Sequence, residues 1–260
     1  MRKYLSGLLI LIPILAIFIF GNTYCSMASD QDQKNCTQLS KDNLLTQLKE
    51  LSPDITVIDV LDTPLEGICE IDIEAKGRKG IIYTDLSTKY IISGSIIEIA
   101  TKGNLTQDRM LELNKVDVSQ IPLDNALILG NKDATHRVIV FTDPDCPFCA
   151  KLHQEIKKIL EKRNDIAFYI MLYPLPMHKD SHRKAESILC AKSLSLLDDA
   201  FEKKPIPDPT CKSTAVDDNI ALGNKLGIQG TPGIILSNGT LIPGYKDADS
   251  LIALIDKTSK

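Results

Sequence analysis

The stretch VIVFTDPDCPFCAKLH, residues 138–153, places an apolar run shortly before two cysteines that stand three residues apart. The run predicts a buried strand, and Pro147 fits the first turn of a helix, where its missing N–H costs nothing. Cys146 then lies beside the unpaired N–H groups of that turn, which act with the helix dipole to stabilise a thiolate. The pKa of a thiol in such a position falls from about 8.5 to roughly 3.5–7.5. The stretch therefore predicts a nucleophilic cysteine at the start of a helix.

Cys149 follows one helical turn later, on the same face and deeper, where a second thiol can resolve a mixed disulfide formed by the first. Two alternatives for the pair are half of a zinc site and a structural disulfide. Zinc needs two further ligands, and Cys190 and Cys211 stand far apart with no histidine at ligand spacing. A disulfide between residues 146 and 149 closes too small a ring to restrain the unfolded chain much. His153 is interpreted as a packing or surface residue rather than a metal ligand.

A second signal is the tetrapeptide GTPG, residues 230–233, which precedes another apolar run. Proline cannot donate to a strand ladder, so its place at the start of an interior strand needs a reason. A cis peptide before Pro232 turns the backbone of Thr231 toward the cysteines and leaves it open to pair with an extended substrate. Most Thr-Pro pairs are ordinary trans turns, so this signal depends on its position after the cysteine motif.

The composition is that of a globular protein, because 43% of the 260 residues are apolar. The net charge of −4 shows no basic excess, which argues against a nucleic-acid partner. Arg2 and Lys3 precede an apolar run at residues 8–20, and small residues follow as far as Ala28. That order predicts a signal peptide at residues 1–28, cleaved after Ala28, with a retained membrane anchor as the alternative. Its removal leaves an even number of cysteines, which in an exported chain favours disulfides.

Periodicity divides the rest of the chain into two parts. Helical spacing at residues 37–51 is followed by short β-branched runs, and strands are predicted at 55–61, 68–73, 80–83 and 90–99. So small a helix-and-sheet unit has a thin core, which favours dimerisation. Residues 102–118 predict a linker helix that begins after Asn104 or Thr106. Beyond it, strands are predicted at 137–141, 166–172, 233–236 and around 242, and helices after the cysteines and at 181–201, 217–226 and 247–257, an α/β order.

The motifs FTDPDCPFCAKLH (141–153) and GTPGIILSNGTLIPGY (230–245) make the chain resemble the thiol-disulfide interchange proteins of the DsbC and DsbG family. The resemblance covers nearly the whole chain after residue 28. It implies an α+β protein with a signal peptide at 1–28, a helix-plus-antiparallel-sheet dimerisation domain at 29–102, a linker helix at 103–122 and a thioredoxin-like catalytic domain with a helical insertion at 123–260. The family consists of periplasmic homodimers that pair through their N-terminal domains and face their two active sites across a shared cleft.

The resemblance also implies a role for each motif. Cys146 is the attacking thiol, Cys149 is its resolving partner, and Thr231 and Pro232 form the cis-proline turn beside them. The implied enzyme is a protein disulfide isomerase that acts on unfolded or misoxidised exported proteins, with chaperone activity from an apolar cleft. It needs no bound cofactor, and a membrane reductant of the DsbD type keeps it reduced.

The remaining cysteines are assigned in two ways. Cys190 and Cys211 match a structural disulfide of the isomerase branch, and closing that loop contributes roughly 3 kcal/mol by the chain-entropy model. Cys36 and Cys69 have no counterpart in the family. Their pairing rests on the even cysteine count alone, and free or intermolecular thiols are the alternative.

Three other functions stay open at this point. Pro147 and Phe148 separate the active-site cysteines, where the best-known isomerase has Gly-Tyr and the DsbG branch has Pro-Tyr. That dipeptide tunes the redox poise, so a DsbG-like thiol-protecting reductase is one alternative. A DsbA-like dithiol oxidase uses the same sulfur chemistry but does not need the segment before Lys102. A non-enzymatic chaperone is the third.

Overall fold

The computed structural model describes residues 35–258. The predicted signal peptide and its cleavage site lie outside the described residues. Within the described part of the chain, no helix is both long and apolar enough to cross a membrane.

The first part of the described chain is a helix on an antiparallel sheet. Helix α1 spans Lys41–Leu51, and the strands are β1 (Ile55–Asp62), β2 (Ile68–Ala75), β3 (Arg78–Asp85) and β4 (Ile91–Ile92), paired in that order. The helix begins directly after Ser40, whose hydroxyl caps it by accepting the Asn43 N–H, and it ends at Leu51 as predicted. Its apolar face buries Leu44 and Leu48. A disulfide joins Cys36, in the 3₁₀ turn before the helix, to Cys69 on β2, with Cα atoms 5.3 Å apart.

The prediction of a strand at residues 90–99 is wrong about its length. Only Ile91–Ile92 pairs with β3, and the chain then leaves the sheet at the Ser-Gly-Ser sequence of residues 93–95. Those residues favour turns, because a serine side chain can hydrogen-bond to nearby backbone groups and glycine adopts the backbone conformations that turns require. Farther on, Ile97 makes only an isolated bridge to Asn104. Apolar β-branched residues at this edge therefore remain exposed instead of entering a core.

The linker helix α2 spans Leu105–Leu113, with the Asn104 side chain as its N-cap. It is shorter than the helix predicted at 103–122, since it ends at Asn114 and a 3₁₀ turn at Val118–Gln120 follows. Arg109 holds α2 to the sheet through ion pairs to Glu70 and Asp72 on β2.

The second part of the described chain carries a five-stranded sheet flanked by helices. The strands are β5 (Leu127–Gly130), β6 (His136–Thr142), β7 (Ile166–Leu172), β8 (Gly233–Ile235) and β9 (Leu241–Pro243), and the helices are α3 (Pro147–Lys162), α4 (Ser181–Ala191), α5 (Leu194–Phe201), α6 (Ala215–Lys225) and α7 (Ala248–Lys257). The order is β5-β7-β6-β8-β9, with β6 and β7 parallel. Every residue of β7 is buried, so this strand lies at the centre of the core.

Two features of this part differ from the sequence prediction. Strand β5 was not predicted, because four residues at a sheet edge give too short a pattern to recognise. The single helix predicted at 181–201 is two helices, since Lys192 adopts a left-handed conformation (φ 45°) and Ser193 caps the second one. The disulfide Cys190–Cys211, with Cα atoms 5.6 Å apart, ties the end of α4 to the loop before α6.

Candidate active site

The two unpaired cysteines among the described residues are Cys146 and Cys149. Strand β6 ends at Thr142, a turn follows, and Cys146 is the N-cap of α3, with Pro147 as the first helical residue. Cys146 is 5% exposed and Cys149 only 1%. The backbone N–H of Asp143 donates to the Cys149 sulfur at 3.4 Å. Both cysteines are therefore buried, and Cys149 is buried more completely than Cys146.

The two sulfurs have opposite acid–base properties. The pKa of Cys146 is lowered to about 5, chiefly because the Cys149 thiol donates a hydrogen bond to it, with further help from the backbone N–H groups of Cys149 and Phe148. Burial raises the pKa of Cys149 far above its usual range, and the hydrogen bond that it gives to Cys146 raises it further. At neutral pH the pair thus holds one thiolate and one thiol.

We expect the thiolate absorbance of the reduced protein, followed near 240 nm, to titrate with a midpoint near pH 5. A Cys149→Ala variant should move the midpoint upward, because it removes the main donor to the Cys146 sulfur. A Cys146→Ala variant should show no transition in the acid and neutral range, since the buried Cys149 stays protonated there. A wild-type midpoint at the ordinary thiol value of about 8.5 would contradict this description of the site.

The turn before β8 lies against the outer cysteine. The Thr231-Pro232 peptide bond is cis, and the carbonyl oxygen of Thr231 is 3.5 Å from the Cys146 sulfur. The Thr231 hydroxyl is buried without a hydrogen-bond partner among the described residues. The fold thus brings together two motifs that are 85 residues apart in the sequence.

A buried carboxylate next to the sulfur pair was not predicted from the sequence. Asp143 is completely buried at the end of β6, and its side chain accepts hydrogen bonds from the Leu175 N–H, the His178 ring and the Ser181 hydroxyl. This network fastens the loop before α4 to the active-site turn, and the carboxylate raises the pKa of His178. The sequence signal that could have identified it is an acidic residue placed shortly after the apolar run at 138–141. His153 is also buried, and its Nε2 lies 2.7 Å from Asp198.

The other predicted site residues lie away from the sulfur pair. Cys36 with Cys69, and Cys190 with Cys211, form the two disulfides described above. Within residues 35–258, no group of three or more metal-ligating side chains is placed to hold a metal ion.

Both parts of the chain are similar to known protein families. Residues 123–259 match the family described as a thioredoxin-like domain, and residues 27–107 match the family described as the N-terminal domain of the disulfide bond isomerase protein. The thiol:disulfide interchange protein DsbC of Salmonella typhimurium is 32% identical over 191 residues, which cover 70% of this chain and 76% of that protein.

Two further similar proteins match a smaller share of this chain. The "Probable thiol:disulfide interchange protein DsbC" of Bordetella avium is 32% identical over 166 residues, and the match spans 63% of this chain and 58% of that relative's length. The crystal structure of a disulfide interchange protein from Neisseria gonorrhoeae has 31% sequence identity and a TM-score of 0.46, and the match covers 53% of this chain and 97% of that one.

Proposed function

The chain belongs to the DsbC family of thiol:disulfide interchange proteins, and from that premise we propose that it is a protein disulfide isomerase that acts on misoxidised exported proteins. The observation that carries the proposal is the asymmetry of the sulfur pair. Cys146 has a low pKa and lies beside the cis-proline turn, whereas Cys149 is buried and protonated. In a site of this kind one sulfur attacks the substrate disulfide, and the other stays protonated until it resolves the mixed disulfide.

The reaction begins when the Cys146 thiolate attacks one sulfur of a substrate disulfide. The substrate S–S bond breaks, its second sulfur leaves as a thiolate, and a mixed disulfide between Cys146 and the substrate forms. The low pKa of Cys146 supplies the nucleophile at neutral pH and also makes it a good leaving group. When another substrate thiolate attacks the mixed disulfide, the substrate is rearranged, Cys146 is released, and no net electrons are transferred.

Cys149 releases a substrate that stays bound to Cys146 without rearranging its disulfides. It loses its proton, attacks the Cys146 sulfur of the mixed disulfide, and releases the substrate with two reduced sulfurs. The enzyme is then left with a Cys146–Cys149 disulfide, so two electrons must come from a reductant before the next cycle. We propose a membrane reductant of the DsbD type for this step.

The nearest alternatives use the same two sulfurs. A DsbA-like oxidase would work from the Cys146–Cys149 disulfide and would not need the N-terminal domain, which residues 27–107 match here. A DsbG-like reductase would act on single oxidised cysteines. The test is whether the reduced chain, without added oxidant, reactivates a scrambled multi-disulfide protein. Reactivation supports isomerisation, and oxidation of a reduced substrate without reactivation of a scrambled one would overturn it.

We propose that two copies pair through the β4 edge of the N-terminal domain. The edge strand has unpaired backbone groups on its outer side, a natural site for another strand. Large apolar side chains around it are exposed, namely Tyr90, Ile91, Ile92, Ile97 and Ile99. Ile99 is 92% exposed, which is costly for an isolated domain.

An Ile92→Lys variant is therefore expected to sediment as a monomer, because a charge at the centre of the paired edge cannot be buried without a partner. Leu51→Lys is the matched control, since Leu51 is also exposed and apolar but lies at the end of α1. That control should remain a dimer. An unchanged dimer in the Ile92→Lys variant would place the interface elsewhere.

We further propose a periplasmic location and a chaperone activity of the dimer cleft. The location is supported by the composition of residues 1–28 and by the two disulfides, which persist in oxidising compartments. Cell fractionation tests the location. Suppression of aggregation by a Cys146→Ser variant tests the chaperone activity, because that activity does not need the thiol.

A further inference from the structure

A cavity of about 580 Å³ lies beside the cis-proline turn and is not used by the sulfur chemistry. Four parts of the chain border it: the tip of the β2–β3 hairpin, α2 with its C-cap Asn114, the segment of residues 227–233, and residues 241–244. Met110 and Leu111 of α2 and Leu241 and Pro243 of β9 supply an apolar lining. The volume is within the range of small-ligand sites, roughly 300–1,000 Å³. We call this cavity the hairpin pocket.

A short part of the backbone that borders the hairpin pocket has unpaired N–H groups. Among the described residues, the N–H groups of Gln229, Gly230 and Thr231 donate no hydrogen bond to the protein. The Thr231 carbonyl accepts only from the Cys146 thiol, and it becomes free when that thiol is ionised. Consecutive free backbone groups next to a nucleophile can pair with an extended peptide, and alternate side chains of that peptide then point toward the protein.

The rim of the hairpin pocket is positively charged. Arg78 and Lys79 line it from the hairpin tip, and no acidic residue of the described chain lines it. Lys79 already donates to the carbonyl of Leu113 at the end of α2, whereas the exposed Arg78 guanidinium has no partner in residues 35–258. The rim therefore complements a carboxylate.

Gly230 keeps the mouth of the pocket open. A Cβ placed on Gly230 would meet nothing within 4 Å, and its φ lies outside the left-handed region. Neither the backbone nor the packing of this chain therefore requires glycine there. The missing side chain at Gly230 leaves open space in the pocket for a ligand.

We propose that the hairpin pocket binds an apolar side chain of the substrate segment that pairs with Thr231, and that Arg78 binds an acidic residue next to it. The substrate class is thus an extended, unfolded segment that carries an apolar and an acidic side chain close to its oxidised cysteine. This selectivity rests on the proposed function, because the segment is recognised while its sulfur is attacked by Cys146.

The test uses short peptides whose single cysteine is bound by a disulfide to thionitrobenzoate, so that attack releases a coloured thiol. One peptide carries leucine and glutamate beside the cysteine, a second carries leucine and lysine, and a third carries serine and glutamate. The first should react about tenfold faster than the third, a difference of 1.4 kcal/mol, because only leucine buries an apolar side chain in the hairpin pocket. The first should also react faster than the second, because Arg78 attracts the glutamate and repels the lysine.

Two variants separate the pocket from the thiol. Gly230→Val should slow the leucine peptides about tenfold relative to the reaction of the same variant with free dithionitrobenzoate, which measures the reactivity of the thiol, and Gly230→Ala should have a smaller effect. Arg78→Glu should invert the preference between glutamate and lysine. Lys212→Glu makes the same charge change at an exposed residue outside the pocket, and it should alter nothing.

Equal wild-type rates for all three peptides would overturn the inference, as would a Gly230→Val variant that reacts as fast as wild type with the leucine peptides. These outcomes differ from a failure of the proposed function. In that case, the wild-type chain would not reactivate a scrambled protein, whatever its ranking of the peptides.

Discussion

Replacement of Cys146 by alanine is expected to reduce the reactivation of scrambled ribonuclease to the uncatalysed rate. A pKa of about 5 leaves about a hundred thiolates for each thiol at pH 7, and Cys146 is the more exposed residue of the pair. Cys149 cannot replace it, because that residue is 1% exposed and its thiol is protonated. The measurement is the recovery of ribonuclease activity with time. A Cys146→Ala variant that retains more than a small fraction of the wild-type rate would show that another group attacks.

The companion variant, Cys149→Ala, should instead accumulate the mixed disulfide, because the thiol that releases Cys146 is missing. A substrate-linked species should appear on a non-reducing gel and in the mass spectrum. Cys146→Ala combined with Cys149→Ala is the control and should form no adduct. Above about pH 7 the variant should still react, since most ordinary thiols begin to ionise there even without the hydrogen bond from Cys149. An adduct in the Cys146→Ala single variant would reverse the assigned roles.

Arg109→Met should produce a large loss of stability although the residue lies outside the site. Arg109 Nη2 lies 2.6 Å from Asp72 Oδ2, and its Nε lies 2.9 Å from Glu70 Oε1. The Asp72 side chain is 1% exposed, and its other oxygen has no partner among the described residues. Without the guanidinium, two buried acids face each other uncompensated. The cost should be about 3 kcal/mol, the lower end for a broken buried pair, because Arg109 is one third exposed.

The pH dependence of this effect has a definite sign. Burial raises the pKa of both Glu70 and Asp72 in the folded protein. A group whose pKa is raised by folding contributes stability below its unfolded value of about 4, and that contribution is lost as the pH rises through the folded value. Removal of Arg109 raises both pKa values further, so the variant should lose more stability between pH 5 and pH 8 than the wild type does.

Urea unfolding followed by circular dichroism at those two pH values measures the effect. The control adds Glu70→Gln and Asp72→Asn to Arg109→Met, which removes the charges and should remove most of the extra pH dependence. An Arg109→Met variant with wild-type stability at both pH values would mean that the ion pairs do not fasten α2 to the sheet.

Elements whose signal is local were predictable from the sequence. Strand β7 has the predicted bounds, because a short run of apolar residues with turn residues at its ends predicts a buried strand and both of its limits. The start of α3 was equally clear, since Pro147 fixes the first turn and makes Cys146 the N-cap. Errors occurred where apolar residues stay exposed, as at Ile97, or where one residue breaks a continuous pattern, as Lys192 does.

The sequence by itself therefore determined the positions of two thiols one helical turn apart and the helix terminus that favours a thiolate, because these features depend on residues within one or two turns of each other. The tertiary structure decided what surrounds them. Asp143 meets His178 and Ser181, and the Cys146 sulfur meets Thr231, only when strands distant in sequence pair. The hairpin pocket likewise exists only once the β2–β3 hairpin, α2 and the cis-proline turn pack together. Such contacts depend on strand order and helix packing, which no local pattern specifies.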